Sequence, residues 1–315
     1  MNTDQSLKIV GLLTFLVVLT TTFHNMHVAS DSIKASETLL QQFLDSSSSR
    51  FGQGTSYYQT LPSQSQAICF VTASYALNET VMDPLPDMTS YKWPFKFFLF
   101  TNLKETQWET PGWEKVVTDF TYRRRITHSR YGKFLSWKYP RITKLCRAIF
   151  YIDSTIEPTK NISLWEEAAS RMEANDGPGF MQYPHPKNRS GLPAEFRAIR
   201  RSRKDTYLNV NKSWTWMEND PSWTPKMRIF LNTCLGYNPK SKTFQKVSQS
   251  FWDRYSLELD SWRDQPLWSF NLNRHKVIPL NFPDTFHEIF KQANMSVYGH
   301  NGHTYRKDSE VNVQF

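Results

Sequence analysis

Apolar runs of strand type alternate with helix-forming stretches along most of this chain, and that alternation restricts the fold more than any other feature. AICFVTA (67–73), FKFFLFT (95–101), WEKVV (113–117), AIFYI (148–152) and GFMQY (179–183) read as short strands. Between and after them lie helical patterns. HSRYGKFLSWKY (128–139) reads as a helix despite Gly132, stopped by Pro140. LWEEAASRME (164–173) carries acids early and Arg171 late, which suits the helix dipole. AEFRAIRRSR (194–203) follows Pro193, a residue suited to a first helical turn. Val247, Phe251, Tyr255 and Leu259 recur every four residues and predict one apolar helical face. RDQPLWSFNL (263–272) opens another helix. Strands that alternate with helices predict an α/β fold with a mainly parallel sheet flanked by helices.

The chain has 315 residues, and 15% of them are aromatic, an ample supply of core and stacking surface. Its length supports one large α/β domain or two small ones. The apolar run IVGLLTFLVVLTTTF (9–23) would rise only about 22 Å as a helix, short of a roughly 30 Å hydrocarbon core. It reads either as a signal peptide, with VAS (28–30) as a cleavage site, or as a short signal anchor with residues 1–8 cytosolic. Residues 24–65 are Ser-, Gln- and Thr-rich and read as a stem, and 294–315 reads as a polar tail.

Both readings of the N-terminus place the remainder in the secretory lumen. Five N-x-S/T sequons agree, at Asn78, Asn161, Asn188, Asn211 and Asn294. Three cysteines allow one pair and a spare, not a disulfide framework. The net charge is +9, with basic clusters at 123–125 and 197–204. In a lumenal chain the anions met are sugar-nucleotide diphosphates, acidic glycans and lipid head groups rather than nucleic acid. A solvated helix face is the simpler reading for most of these charges.

The chemistry-bearing residues cluster at element ends. AIFYI ends in Asp153, followed by Thr155, Glu157 and Pro158. In open α/β sheets ligands bind beyond the C-terminal ends of strands. A carboxylate there can hold a divalent cation, Mn²⁺ or Mg²⁺, that bridges two phosphates; the alternative is a turn residue. Arg130 and Lys133 lie one turn apart on a helix, a spacing that lets two cations grip a diphosphate. His185, between two prolines, could bind a metal, a phosphate or an acceptor hydroxyl, or be a loop residue. Asp264 starts a helix, where the anion is favoured; it could take an acceptor's proton or act as a cap. Gln265 and Arg263 adjoin it. Trp268 could stack on a sugar or fill the core. Glu195 could contact sugar hydroxyls or complete a first turn. Neither G-x-S-x-G nor H-E-x-x-H occurs, which weakens two common hydrolase readings.

Read in order, FFLFTN (97–102), SRYGKFLSWKYP (129–140), FYIDS (150–154), YPHPKNRSGLPAEF (183–196) and SWRDQPLWSFNL (261–272) resemble a glycosyltransferase-like family. That family was first defined as a plant domain of unknown function and later named for hexosyltransferase-like members. The resemblance covers about residues 67–282. It implies a GT-A type nucleotide-sugar fold over 66–293, with Asp153 as the single-Asp counterpart of an Asp-x-Asp site. Thr155 stands where a second Asp would be, which leaves metal dependence open. The resemblance implies a Golgi or other secretory-pathway hexosyltransferase, anchored by its N-terminal segment, with a nucleotide-sugar donor and a glycan or glycoconjugate acceptor. Two rivals remain. One is a lumenal hydrolase whose Asp153, His185 and Asp264 share a metal and activate water. The other is a non-enzymatic carbohydrate-binding protein with an exposed aromatic platform.

Overall fold

The computed structural model describes residues 66–75, 85–104, 109–119, 122–174, 177–185, 191–284 and 286–292. The segments 1–8, 9–23 and 24–65, the tail 294–315, and the sequons at Asn78, Asn188 and Asn294 lie outside the described residues.

The core is a six-stranded sheet in the order β3-β2-β1-β4-β7-β6. Its strands are β1 (Ala67–Ala73), β2 (Phe95–Thr101), β3 (Glu114–Val117), β4 (Cys146–Ile152), β6 (Phe180–Pro184) and β7 (Phe230–Tyr237). Strands β3, β2, β1 and β4 pair in parallel. Strand β7 runs antiparallel to both β4 and β6, so the sheet is mixed, with its parallel half at the N-terminal side. A two-stranded antiparallel ribbon, β5 (Ile156–Pro158) with β8 (Phe290–Gln292), lies outside it.

Side chains of a strand alternate between faces, and here both faces are apolar. Cys69, Val71, Ile149 and Tyr151 join one cluster with Phe134, Phe251 and Trp268. Ile68, Phe70, Ala148, Phe150 and Ile152 join a second with Trp165, Ala168 and Met172. The first face is covered by α1 (Arg125–Leu135), α6 (Lys242–Tyr255) and α7 (Asp264–Arg274), and the second by α3 (Ile162–Glu173). The remaining helices are α2 (Pro140–Leu145), α4 (Leu192–Arg201), α5 (Tyr207–Glu218) and the short α8 (Phe286–Ile289). Burial on both faces explains why β1 and β4 read as unbroken apolar runs rather than alternating ones.

The helix 128–139 ends earlier than its pattern suggests. After Leu135 the chain makes a 3₁₀ turn (Ser136–Lys138), and Pro140 starts α2 instead of merely ending a helix. Gly132 is tolerated in α1 because α1 lies hard against the sheet. A Cβ there would come within 3.0 Å of the Phe100 ring and 3.2 Å of Ala73. The apolar stripe of α6 keeps Val247, Phe251 and Tyr255, but Leu259 falls beyond the helix and is 55% exposed. Cys69 and Cys146 form a disulfide between the neighbouring strands β1 and β4, and Cys234 is a buried free thiol. Among the described residues no helix is long and apolar enough to cross a membrane.

Candidate active site

Strand β4 delivers Asp153 one residue past its C-terminal end. The Asp153 N–H still donates to Thr233 O of β7 at 3.0 Å, and its carbonyl accepts from Ile156 N at 3.0 Å to close a turn. Thr155 sits half-buried in that turn. By strand alternation Asp153 faces the same side as Ile149 and Tyr151, the side covered by α1. The carboxylate is 41% exposed, so one edge meets solvent while the other meets α1.

Helix α1 supplies the cations. Lys133 is 2% exposed, with its Nζ 3.1 Å from Asp264 Oδ2, 4.0 Å from Asp153 Oδ1, and 4.7 Å from the centre of the Tyr151 ring. Arg130, one turn earlier, places Nε 3.2 Å from Asp264 Oδ2, though out of line for a hydrogen bond. Asp264 is the first residue of α7 and is 5% exposed at its side chain. Asn232 Nδ2 of β7 donates to the same Oδ2 at 3.2 Å. Gln182 Nε2 of β6 donates to Asn232 Oδ1 at 3.1 Å, and Trp268 Nε1 donates to Gln182 Oε1 at 2.7 Å. A polar chain thus runs from the core to the mouth of the sheet.

The electrostatics follow from burial and pairing. Burial by itself would raise the Asp264 carboxyl, but Arg130 and then Lys133 outweigh it and hold the group well below the usual carboxylate range. Burial lowers Lys133, and the attraction of Asp264 and Asp153 recovers only part of that. Arg130 is raised: burial is the largest single effect and would lower it, but Asp264, Tyr151, Tyr255 and Asp153 together outweigh it. Tyr151 is pushed well above its ordinary value by burial and then by Asp153, with which it shares a hydrogen bond.

These positions decide several sequence expectations. Arg130, Lys133, Asp153 and Asp264 come together, and Arg263 adds its charge beside Asp264. Asp264 is a poor base in this setting: it is buried, paired with two cations and held as the anion. Its carboxylate is the shared counter-ion of Arg130 and Lys133. Trp268 is fully buried, with its indole N–H spent on Gln182, so it fills the core and presents no face to a sugar. Glu195 is buried in the first turn of α4, and Gln265 is half-buried in that of α7. His185 lies just past β6, where its N–H donates to Ile229 O at 3.0 Å. Asn161 is exposed immediately before α3. Asn211 lies within α5, where its side-chain oxygen accepts from Arg200.

The basic run at 123–125 serves the scaffold. Glu258 accepts from the N–H groups of Arg123 (3.0 Å) and Arg124 (2.7 Å) and from Thr127 Oγ1 (2.7 Å). Helix α1 has no side-chain cap of its own at Arg124, so Glu258 caps it from a distant loop. At 197–204 the exposed residues Arg197, Arg201, Arg203 and Lys204 lie on and just after α4, as a solvated face would have them. Sequence reading missed Tyr151, Gln182, Asn232 and Glu258. Asn232 was discoverable: a polar residue within FLNTCLGY, otherwise of strand character, is the mark of a buried partner.

For a divalent cation this cluster offers little beyond the one solvent-facing carboxylate of Asp153. Among the described residues no three His, Cys, Asp or Glu side chains gather to hold a metal, which also removes the shared-metal arrangement of Asp153, His185 and Asp264. An ion on Asp153 would lie about 6 Å from the Lys133 ammonium if it sat opposite Lys133. At an effective dielectric near 20 that repulsion is roughly 5 kcal/mol. Nor do exposed aromatics make a platform: among the described residues the strongly exposed large rings are Trp93 and Tyr207. No protein-family model and no curated protein matches the chain.

Proposed function

We propose that this domain is a GT-A-like glycosyltransferase that moves a hexose from a nucleotide-sugar donor to a glycan or glycoconjugate acceptor. The observation that carries the reading is the meeting of Lys133, Arg130 and Asp153 at the C-terminal end of the central strand β4. That is where an α/β sheet binds nucleotides, and two cations there suit a diphosphate. In transfer, an acceptor hydroxyl oxygen bonds to the anomeric carbon while the bond from that carbon to the β-phosphate oxygen breaks. The nucleoside diphosphate leaves with the electron pair, its charge offset by Lys133 and Arg130. The hydroxyl proton passes to Asp153, the carboxylate of the cluster that solvent reaches. Asp264 orients both cations and takes no proton. The disulfide and the N-terminal apolar segment support placing the work in the secretory pathway, on a Golgi or related membrane.

The test is nucleotide release by the full chain from a panel of UDP- and GDP-sugars, with Asp153→Asn beside it. One donor should be turned over, and the variant should lose at least about two orders of magnitude, roughly 2.7 kcal/mol of transition-state stabilisation. Well-folded protein that turns over no donor, with or without a panel of oligosaccharide acceptors, refutes the reading.

A further inference from the structure

Nucleotide-sugar transfer with a GT-A-like sheet raises the question of what neutralises the leaving diphosphate. The usual means, a divalent ion on paired carboxylates, is poorly served here. Asp153 is the one solvent-facing carboxylate of the cluster, Thr155 follows where a second would be needed, and Asp264 is enclosed by cations. What the structure offers instead is an ammonium already installed at that place. Lys133 Nζ lies between the two carboxylates, 3.1 Å from the buried one and 4.0 Å from the exposed one.

We propose that Lys133, backed by Arg130, replaces the divalent cation and carries the donor's diphosphate, so that this site binds and uses its donor without metal. The inference rests on the glycosyltransferase reading and narrows it. The asymmetry of the two pairs explains how the cation becomes available. At 4.0 Å the contact to Asp153 is at the outer limit of an ion pair, and Asp153 already has one edge in solvent. A phosphate oxygen arriving from solvent can take that place and release Asp153 toward the acceptor. The contact to Asp264 is close and buried, and it keeps Lys133 from following the ligand. Arg130 pairs with the same Oδ2 and donates from Nη1 to Ser129 Oγ, so it adds a second fixed positive charge behind Lys133.

The experiment is calorimetric titration of the full chain with UDP and with GDP, first in EDTA and then in millimolar Mn²⁺ or Mg²⁺. The proposal expects one nucleotide to bind with an affinity that changes less than about twofold between the two conditions. Binding that appears only with metal, or tightens tenfold or more, overturns it while leaving the glycosyltransferase reading intact. Absence of binding in both conditions removes that reading itself. Lys133→Met, if its circular dichroism is native, should weaken binding at least tenfold. A natively folded Lys133→Met that binds like the parent overturns the role given to Lys133. The metal comparison stands on the parent protein alone, so a misfolded variant does not spoil it.

Discussion

Replacing Asp264 by Asn tests the arrangement at its most sensitive point. The change conserves volume and removes only charge. In the parent, Oδ2 lies 3.1 Å from Lys133 Nζ and 3.2 Å from Arg130 Nε, and the Lys133 and Asp264 side chains are nearly sealed from water. Asn leaves two enclosed cations without their shared counter-ion. Removing one partner of a buried pair costs about 3–5 kcal/mol, far above the roughly 0–1 kcal/mol of a surface pair. For a domain of this size that lowers the thermal midpoint by on the order of 10 °C. Urea unfolding followed by tryptophan fluorescence measures the loss, and calorimetry the midpoint. Acid adds a second signature. The folded carboxyl sits below its ordinary value of 3.8, so its contribution is present above that value and fades as pH falls through the folded one. Parent and variant should therefore converge in stability below about pH 4. A loss under about 1 kcal/mol at neutral pH, or a gap unchanged down to pH 2, would refute the account of a buried, charge-bearing keystone.

Three further outcomes follow from the same geometry. Trp268→Phe removes a buried indole and its bond to Gln182, and should lower stability by about 2–3 kcal/mol without raising the KM for donor or acceptor; a KM rise at unchanged stability would return Trp268 to the sugar. Cys146→Ser opens a cross-link spanning 77 residues and should cost about 4 kcal/mol in denaturant unfolding under oxidising conditions, an effect that vanishes in reductant. Glu258→Gln weakens the distant cap on α1 and should cost about 1–2 kcal/mol, read by the same unfolding and by faster amide exchange at 123–127.

Much of the fold was legible because its elements are local. The strands β1, β2, β4 and β6 announce themselves as short apolar runs, and α3, α4 and α7 by charge pattern, prolines and helix formers. What escaped was non-local. Strand β7 holds Asn232, Thr233 and Gly236 among its apolar residues, and only pairing with β4 and β6 makes it the strand that turns the sheet mixed. Helix α5 (Tyr207–Glu218) mixes Asn, Thr and Trp with no clear stripe, and its form rests on packing and on the Thr206 cap. Leu259 continued a helical period that the Ser256 C-cap had already ended.

The site divides in the same way. Asp153 was visible as a carboxylate at a strand end, and Arg130 with Lys133 as cations one turn apart. That Asp264 lies between those cations depends on how α1 and α7 cover one face of the sheet, which no local pattern encodes. A helix-start Asp reads as accessible until two cations are found closed over it. Trp268 read equally as stacking ring or core, and its position on the inward face of α7 decides for core.

The central claim is tested most directly by a crystal structure of the protein with the nucleoside diphosphate that calorimetry selects, grown in EDTA. The account places a phosphate oxygen within hydrogen-bonding distance of Lys133 Nζ and the Arg130 guanidinium, with Asp153 turned away from Lys133. Diphosphate density bound elsewhere, or an unaltered Lys133–Asp153 pair at saturating nucleotide, would contradict it.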